Sequence, residues 1–319
     1  MRYAAPALLL VAALASATGA TARERGGAPV ALVTAEAQNE LLAVALPSGK
    51  VLRRLRLPDD PENVDVGPAG PAVVVSTKAG AVTILAWRSL RVLRTLRGFR
   101  DPHIAAISPD GSWAYVTDDG TGLLSVIRLR DTRLVRRVDV GIGAHHLSWS
   151  PDGLHVWVAL GERARTIVVL DTSRPDRPGV VARFDPGFGA HDLAFAPDGR
   201  TVWVTADGGE SVVAFDAPSR KRLFTVPVGP PPQHVAFGAR GAAYLTSGYG
   251  SRIVMASASG RVLRTAPTPY GSFNVTVAGG LVVTSSLLRG TVAEFTDRLQ
   301  PVRTTRVASE ARDVGVSVW

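Results

Sequence analysis

Three stretches share one pattern: HIAAISPDGSWAYVTD at 103–118, HLSWSPDGLHVWVAL at 146–160 and DLAFAPDGRTVWVTA at 192–206. Each alternates apolar and small residues, turns at Pro-Asp-Gly, and resumes with an aromatic at its centre: Tyr115, Trp157 or Trp203. Alternation with period two is the signature of a half-buried strand. Pro109, Pro151 and Pro197 preset φ for the turn, and Gly111, Gly153 and Gly199 supply its left-handed position. The stretches are therefore three copies of one β-hairpin. Looser copies begin at His234 (HVAFGARGAAYLTS) and Asn274 (NVTVAGGLVVTSS), and a degenerate one begins at Asn63 (NVDVGPAGPAVVVST).

Two more short strands follow each hairpin, such as LLSVIRL (123–129) and RLVRRVDV (133–140), or SVVAFD (211–216) and RLFTVPV (222–228). The unit is thus four antiparallel strands, A to D. Anchored on the first apolar residue of strand A (Val64, Ile104, Leu147, Leu193, Val235, Val275 and Val314), it recurs about every 40 residues, the period of a propeller blade. The chain opens out of phase, with B (Ala31–Thr34), C (Leu41–Leu46) and D (Val51–Leu57), and closes with an unpartnered A strand, Asp313–Val318. Joining the two ends completes a seventh blade. The expectation is an all-β, seven-bladed β-propeller whose ring is closed by strands from both termini.

The residues SPDG…YVT…SVI…VDVG resemble the YVTN repeat (YncE-like) family of seven-bladed propellers, with lactonase-like and streptogramin-lyase-like propellers as related groups. The resemblance covers all seven repeats, most closely blades three to five. It implies a fold and leaves function open, because the motif is turn and packing chemistry.

Composition agrees. The chain of 319 residues is 46% hydrophobic and 20% charged, with 32 Gly, 22 Pro and no Cys. Lack of cysteine excludes a disulfide scaffold, thiolate metal ligands, a thiol nucleophile and covalent c-type haem. Arg2, the apolar run from Ala4 to Ala17 and the A-x-A at Ala20-Thr21-Ala22 read as a secretory signal peptide over 1–22. The propeller then occupies 23–319, with no transmembrane segment, and the mature chain is expected to be a secreted or periplasmic monomer. The net charge of +9 is carried almost wholly by Arg, with Lys only at 50, 78 and 221. Export and this Arg bias argue against a nucleic-acid partner. The arginines cluster in the D strands (Arg53, Arg54, Arg56; Arg91, Arg94, Arg97; Arg133, Arg136, Arg137), the outer edges of blades, where charge discourages sheet-to-sheet pairing. A positive rim that docks on an anionic cell-wall polymer or lipid is the other reading of the same pattern.

The polar signal lies where strand A begins. Immediately before the seven anchors stand Asn63, His103, His146, Asp192, His234, Asn274 and Asp313, and one residue earlier stand Glu62, Pro102, His145, His191, Gln233, Phe273 and Arg312. Five of the six histidines fall in this two-residue slot. Strand A lines the central channel, so Asn63, His103, His145, His146, His191, Asp192, His234, Asn274 and Asp313 form a ring there. It shares a face with the B–C loops, which carry Glu36, Lys78, Asp118, Asp119, Glu162, Arg165, Asp207, Glu210, Tyr249 and Arg289. Imidazole with carboxylate suits a divalent metal, with His103, His146, Asp192 and His234 as the candidate ligands. The alternative is that the ring is blade-to-blade glue around a water-filled channel. No nucleophile elbow, H-E-x-x-H or phosphate loop is present. The sequence therefore supports a binding or scaffolding module that engages a small molecule, or a protein or cell-envelope partner, through the channel face. A metal-dependent lactonase- or lyase-like enzyme is the competing class.

Overall fold

The computed structural model describes residues 28–68, 70–161 and 164–318; the leader-like segment 1–22 and Glu162 lie outside them. Among the described residues the strands form seven four-stranded antiparallel sheets, each the neighbour of the next around a ring. Blade 1 combines Val314–Val318 with Pro29–Ala35, Glu40–Ala45 and Lys50–Arg56, so the last strand pairs with the first. Blades 2 to 7 follow in order, their A strands at Pro61–Val66, Pro102–Ile107, Leu147–Trp149, Ala190–Phe195, Val235–Phe237 and Thr276–Ala278.

The hairpins form as the turn chemistry requires. Gly111, Gly153 and Gly199 have φ of 72°, 71° and 68°, and their N–H groups donate to the carbonyls of Ser108, Ser150 and Ala196 at 2.8–2.9 Å. A side chain other than hydrogen is strained at that φ, which explains glycine in each copy.

The cores lie between blades. Tyr115, Leu124 and Val126 of blade 3 pack with Leu147, Trp149, Val156 and Val158 of blade 4. Tyr115, Trp157, Trp203 and Tyr244 are at most 2% exposed, as expected of packing residues. Two of them also reach across: Tyr115 Oη donates to the Pro175 carbonyl (2.8 Å) and Tyr244 Oη to that of Asp297 (2.5 Å), in each case on the following blade. The outer D strands are mostly exposed. Their arginines also join blades: Arg53 donates to Ser89 O (3.1 Å), Arg137 to Gly98 O (2.9 Å) and Arg264 to Arg298 O (3.2 Å).

The hydrogen-bond ladder corrects the repeat alignment in one blade. Val64, Leu193, Val235 and Val314 pair with Val74, Val204, Leu245 and Val33, and in blade 3 the residue in that place is Ala105, opposite Val116. The bracket formed by the B-strand threonines confirms it. Thr117, Thr205, Thr246 and Thr34 accept from the N–H of Ile104, Asp192, His234 and Asp313. Ile104 is thus the equivalent of Asp192, and His103 belongs one row further out. An apolar anchor misplaces this blade because Ile104 is itself apolar yet lines the channel.

Candidate functional site

In this register the A-strand entries make two stacked rows. The outer row is Glu62, His103, His145, His191, Gln233, Phe273 and Arg312, and it lines a cavity of about 220 Å³ at the channel mouth. The inner row is Asn63, Ile104, His146, Asp192, His234, Asn274 and Asp313, and it lines a second cavity of about 260 Å³ deeper in the channel. The B-strand hydroxyls hold the rows in place. Besides accepting from its own blade, Thr117 Oγ donates to His145 O (2.5 Å), Thr205 Oγ to Gln233 O (3.0 Å) and Thr246 Oγ to Phe273 O, so blades 3, 5 and 6 each fix the backbone of the next blade's entry.

Three of the acids and amides of the inner row, Asn63, Asp192 and Asp313, connect blade to blade. Asn63 Oδ1 accepts from Ala105 N (2.9 Å), Asp192 Oδ2 from Val235 N (3.0 Å) and Asp313 Oδ2 from both Val64 N (2.8 Å) and Asn63 Nδ2 (2.9 Å). Each bond spans one blade interface and satisfies a buried N–H. Burial pushes Asp192 up to about 7 and Asp313 up to about 6, although these backbone donors oppose it.

The histidines do something different. Their rings gather on one side of the channel: His103 stacks on His145 with centroids 3.9 Å apart, and His146 lies 4.7 Å from His191 and 4.8 Å from both His145 and His234. Four are backed by carboxylates through Nδ1: His103 by Glu62 (3.2 Å), His145 by Asp119 (3.1 Å), His146 by Asp192 Oδ1 (3.0 Å) and His234 by Asp192 Oδ2 (3.5 Å). Among the described residues, none of the five side chains bonds a loop backbone from the next blade. One nitrogen from each of His103, His145 and His146 lies within 4.8 Å of the others, and so does one from each of His146, His191 and His234.

The set fits a transition-metal ion. With Nδ1 occupied by a carboxylate, Nε2 is the nitrogen left to coordinate, the arrangement that orients metal-binding histidines. Tetrahedral coordination at about 2.0–2.1 Å places ligand nitrogens roughly 3.3 Å apart, so modest closure of either triad suffices. Coordination needs neutral imidazole. Burial pushes His103 down, His146 and His191 well down, and His234 to about 3; for the last three, neighbouring positive groups act the same way. Glu62 titrates below the usual range: burial acts against this, but the His103 hydrogen bond and Arg312 outweigh it.

Of the four candidate ligands, the fold brings His103, His146 and His234 into the cluster and sets Asp192 behind two of them, both its oxygens engaged. His145 and His191, which the sequence placed only in the ring, join the cluster. Asn63, Asn274 and Asp313 lie across the channel from it, with Asn274 Oδ1 buried and unpartnered. Opposite the imidazoles the mouth is lined by Tyr249, Phe273 and Arg312, with Tyr249 4.9 Å from Phe273 and Arg312 3.8 Å from Glu36. Burial lifts Glu36 to about 7 despite Arg312. Glu62 and Asp119 were visible as channel-face residues, but their pairing with His103 and His145 crosses blades and has no signal in spacing.

No protein-family model and no curated protein matches the chain by sequence. Solved structures match most of its length. A protein of unknown function from Desulfotomaculum acetoxidans superposes with a TM-score of 0.77 over 90% of this chain and 98% of its own, at 14% identity. Hydrazine synthase of Kuenenia stuttgartiensis gives 0.73 over 83% and 91%, at 17% identity. Apo AztD from Citrobacter koseri gives 0.72 over 92% and 98%, at 11% identity. The chain is a seven-bladed β-propeller. At these identities the likeness is one of fold, and the propeller carries different functions in different proteins.

Proposed function

We propose that this protein is a metal-binding propeller that takes a divalent transition ion, of the zinc class, at the mouth of its channel. The observation that carries the reading is the convergence of five imidazoles, four of them backed by carboxylates. Packing alone does not call for it: the backbone bonds between blades are made by Asn63, Asp192, Asp313 and the threonines, and although four His–carboxylate pairs also cross interfaces, crowding five largely buried imidazoles together on one side of the channel adds a desolvation cost that such pairs do not require. An all-nitrogen donor set favours zinc, copper, nickel or iron over calcium or magnesium.

As a binding module the protein would hold the ion, or a small molecule attached to it, at the channel face. We place it outside the cytoplasm on the strength of its leader-like N-terminus, as a YVTN-like propeller. A second reading has its own support. Three histidines leave coordination positions open, as catalytic zinc sites do, beside a mouth that offers Gln233, Tyr249 and Arg312 to a substrate. A lactonase- or lyase-like enzyme would use the ion to polarise a carbonyl.

The test is metal content of the untagged chain 23–319 after incubation with zinc, copper and nickel followed by desalting. About one ion per chain is expected, absent from a folded His103→Ala/His146→Ala/His234→Ala variant. A wild-type protein that retains no ion overturns the proposal. Lactone hydrolysis by the loaded protein alone would favour the enzyme.

A further inference from the structure

The cluster contains two three-histidine sets, not one, and they share a residue. His103 and His145, both of the outer row, combine with His146. His191 of the outer row and His234 of the inner row also combine with His146. The first set lies toward the mouth on blades 3 and 4, and the second reaches deeper on blades 4 to 6, beside Asp192.

Two ions at once would require His146 to bridge them, one through each ring nitrogen. Its Nδ1 is held by Asp192 Oδ1 at 3.0 Å, and His146 is buried, 4% exposed. Asp192 is itself fixed by Val235 N and by the Thr205 hydroxyl on its own N–H. Only Nε2 of His146 is left, and one nitrogen lone pair serves one ion.

Resting on the metal-binding reading above, we infer that the propeller binds a single ion that exchanges between two overlapping three-histidine sites, with His146 as the ligand common to both. Moving between them, the ion keeps its bond to His146 while His103 and His145 give way to His191 and His234. It is never released to solvent, and its path leads from the mouth into the channel. His191 suits the exchange because it has no carboxylate partner among the described residues and its ring lies 4.7 Å from His146, 5.2 Å from His145 and 5.7 Å from His234, between the two sets. No bond other than metal–nitrogen is made or broken, and no electron is transferred.

Cobalt(II) titration followed in the visible, with zinc competition against a chromophoric chelator, tests this on the chain 23–319. The variants are His103→Ala/His145→Ala, His191→Ala/His234→Ala, the quadruple combination, and His146→Gln, which keeps a donor toward Asp192. When two sites compete for one ion the association constants add, so loss of one of two equal sets costs a factor of about two. The expected result is one ion per wild-type chain, affinity within about tenfold of wild type in each double variant, and a fall of about a hundredfold or more in His146→Gln and the quadruple variant. The two double variants should show different cobalt bands, with the wild-type spectrum a mixture of both. Two ions in the wild type, or a loss beyond tenfold in either double variant, overturns the shared-site inference and leaves metal binding standing. No ion in the wild type removes both. If His146→Gln does not fold by circular dichroism, the doubles and the quadruple variant decide.

Discussion

Glu294 offers a test of the energetics that is independent of the channel. It sits in the third strand of blade 7, 1% exposed, with neither carboxylate oxygen hydrogen-bonded. The same position in other blades is held by Ala43, Ile84, Val126, Val169, Ala214 and Met255. An ordinary glutamate titrates near 4.5; burial, opposed by the Arg303 guanidinium, pushes Glu294 up to about 7. Between those values the folded chain keeps a proton that the unfolded chain releases. Stability therefore falls as pH rises through that window and levels off above it. The full difference amounts to about 3 kcal/mol at pH 8 and under about 1 kcal/mol at pH 5. Glu294→Met, which copies blade 6 with an adaptable side chain, removes the titration. Urea unfolding followed by tryptophan fluorescence should find the variant more stable at both pH values, and by about 2 kcal/mol more at pH 8 than at pH 5. A gain that does not change with pH, or a less stable variant at pH 8, would refute the claim that this carboxylate is buried without a partner.

Asp192→Asn keeps an oxygen for Val235 N but gives up the carboxylate behind His146 and His234; metal affinity should fall about 10- to 100-fold with the fold intact, measured by chelator competition. Thr117→Val leaves the buried Ile104 N–H and His145 carbonyl without their side-chain partner and should cost about 1–3 kcal/mol in urea unfolding. Removing residues 314–319 takes away the strand that pairs with Pro29–Ala35 and should abolish the single cooperative transition in calorimetry.

Much of the fold was legible because a propeller is repetitive: Pro-Asp-Gly turns, alternating strands and out-of-phase ends are local features, and local chemistry sets hairpins. The ring slot was legible too, since five of six histidines share it. What failed was register in blade 3, where Ile104 mimics an anchor and only the ladder opposite Val116 reveals the shift.

The sequence by itself determined the architecture, the closure by both termini and the row of residues at the channel, because each rests on contacts within a hairpin or on simple counting of blades. Tertiary structure alone decided which of those residues connect blades and which gather. Asp192, read from sequence as a ligand candidate, stands behind His146 and His234 with both oxygens taken, while His145 and His191 turn into the cluster beside them. That sorting depends on side-chain directions across blade interfaces some 40 residues apart in the chain, and such distances are set by packing the whole ring rather than by any one repeat.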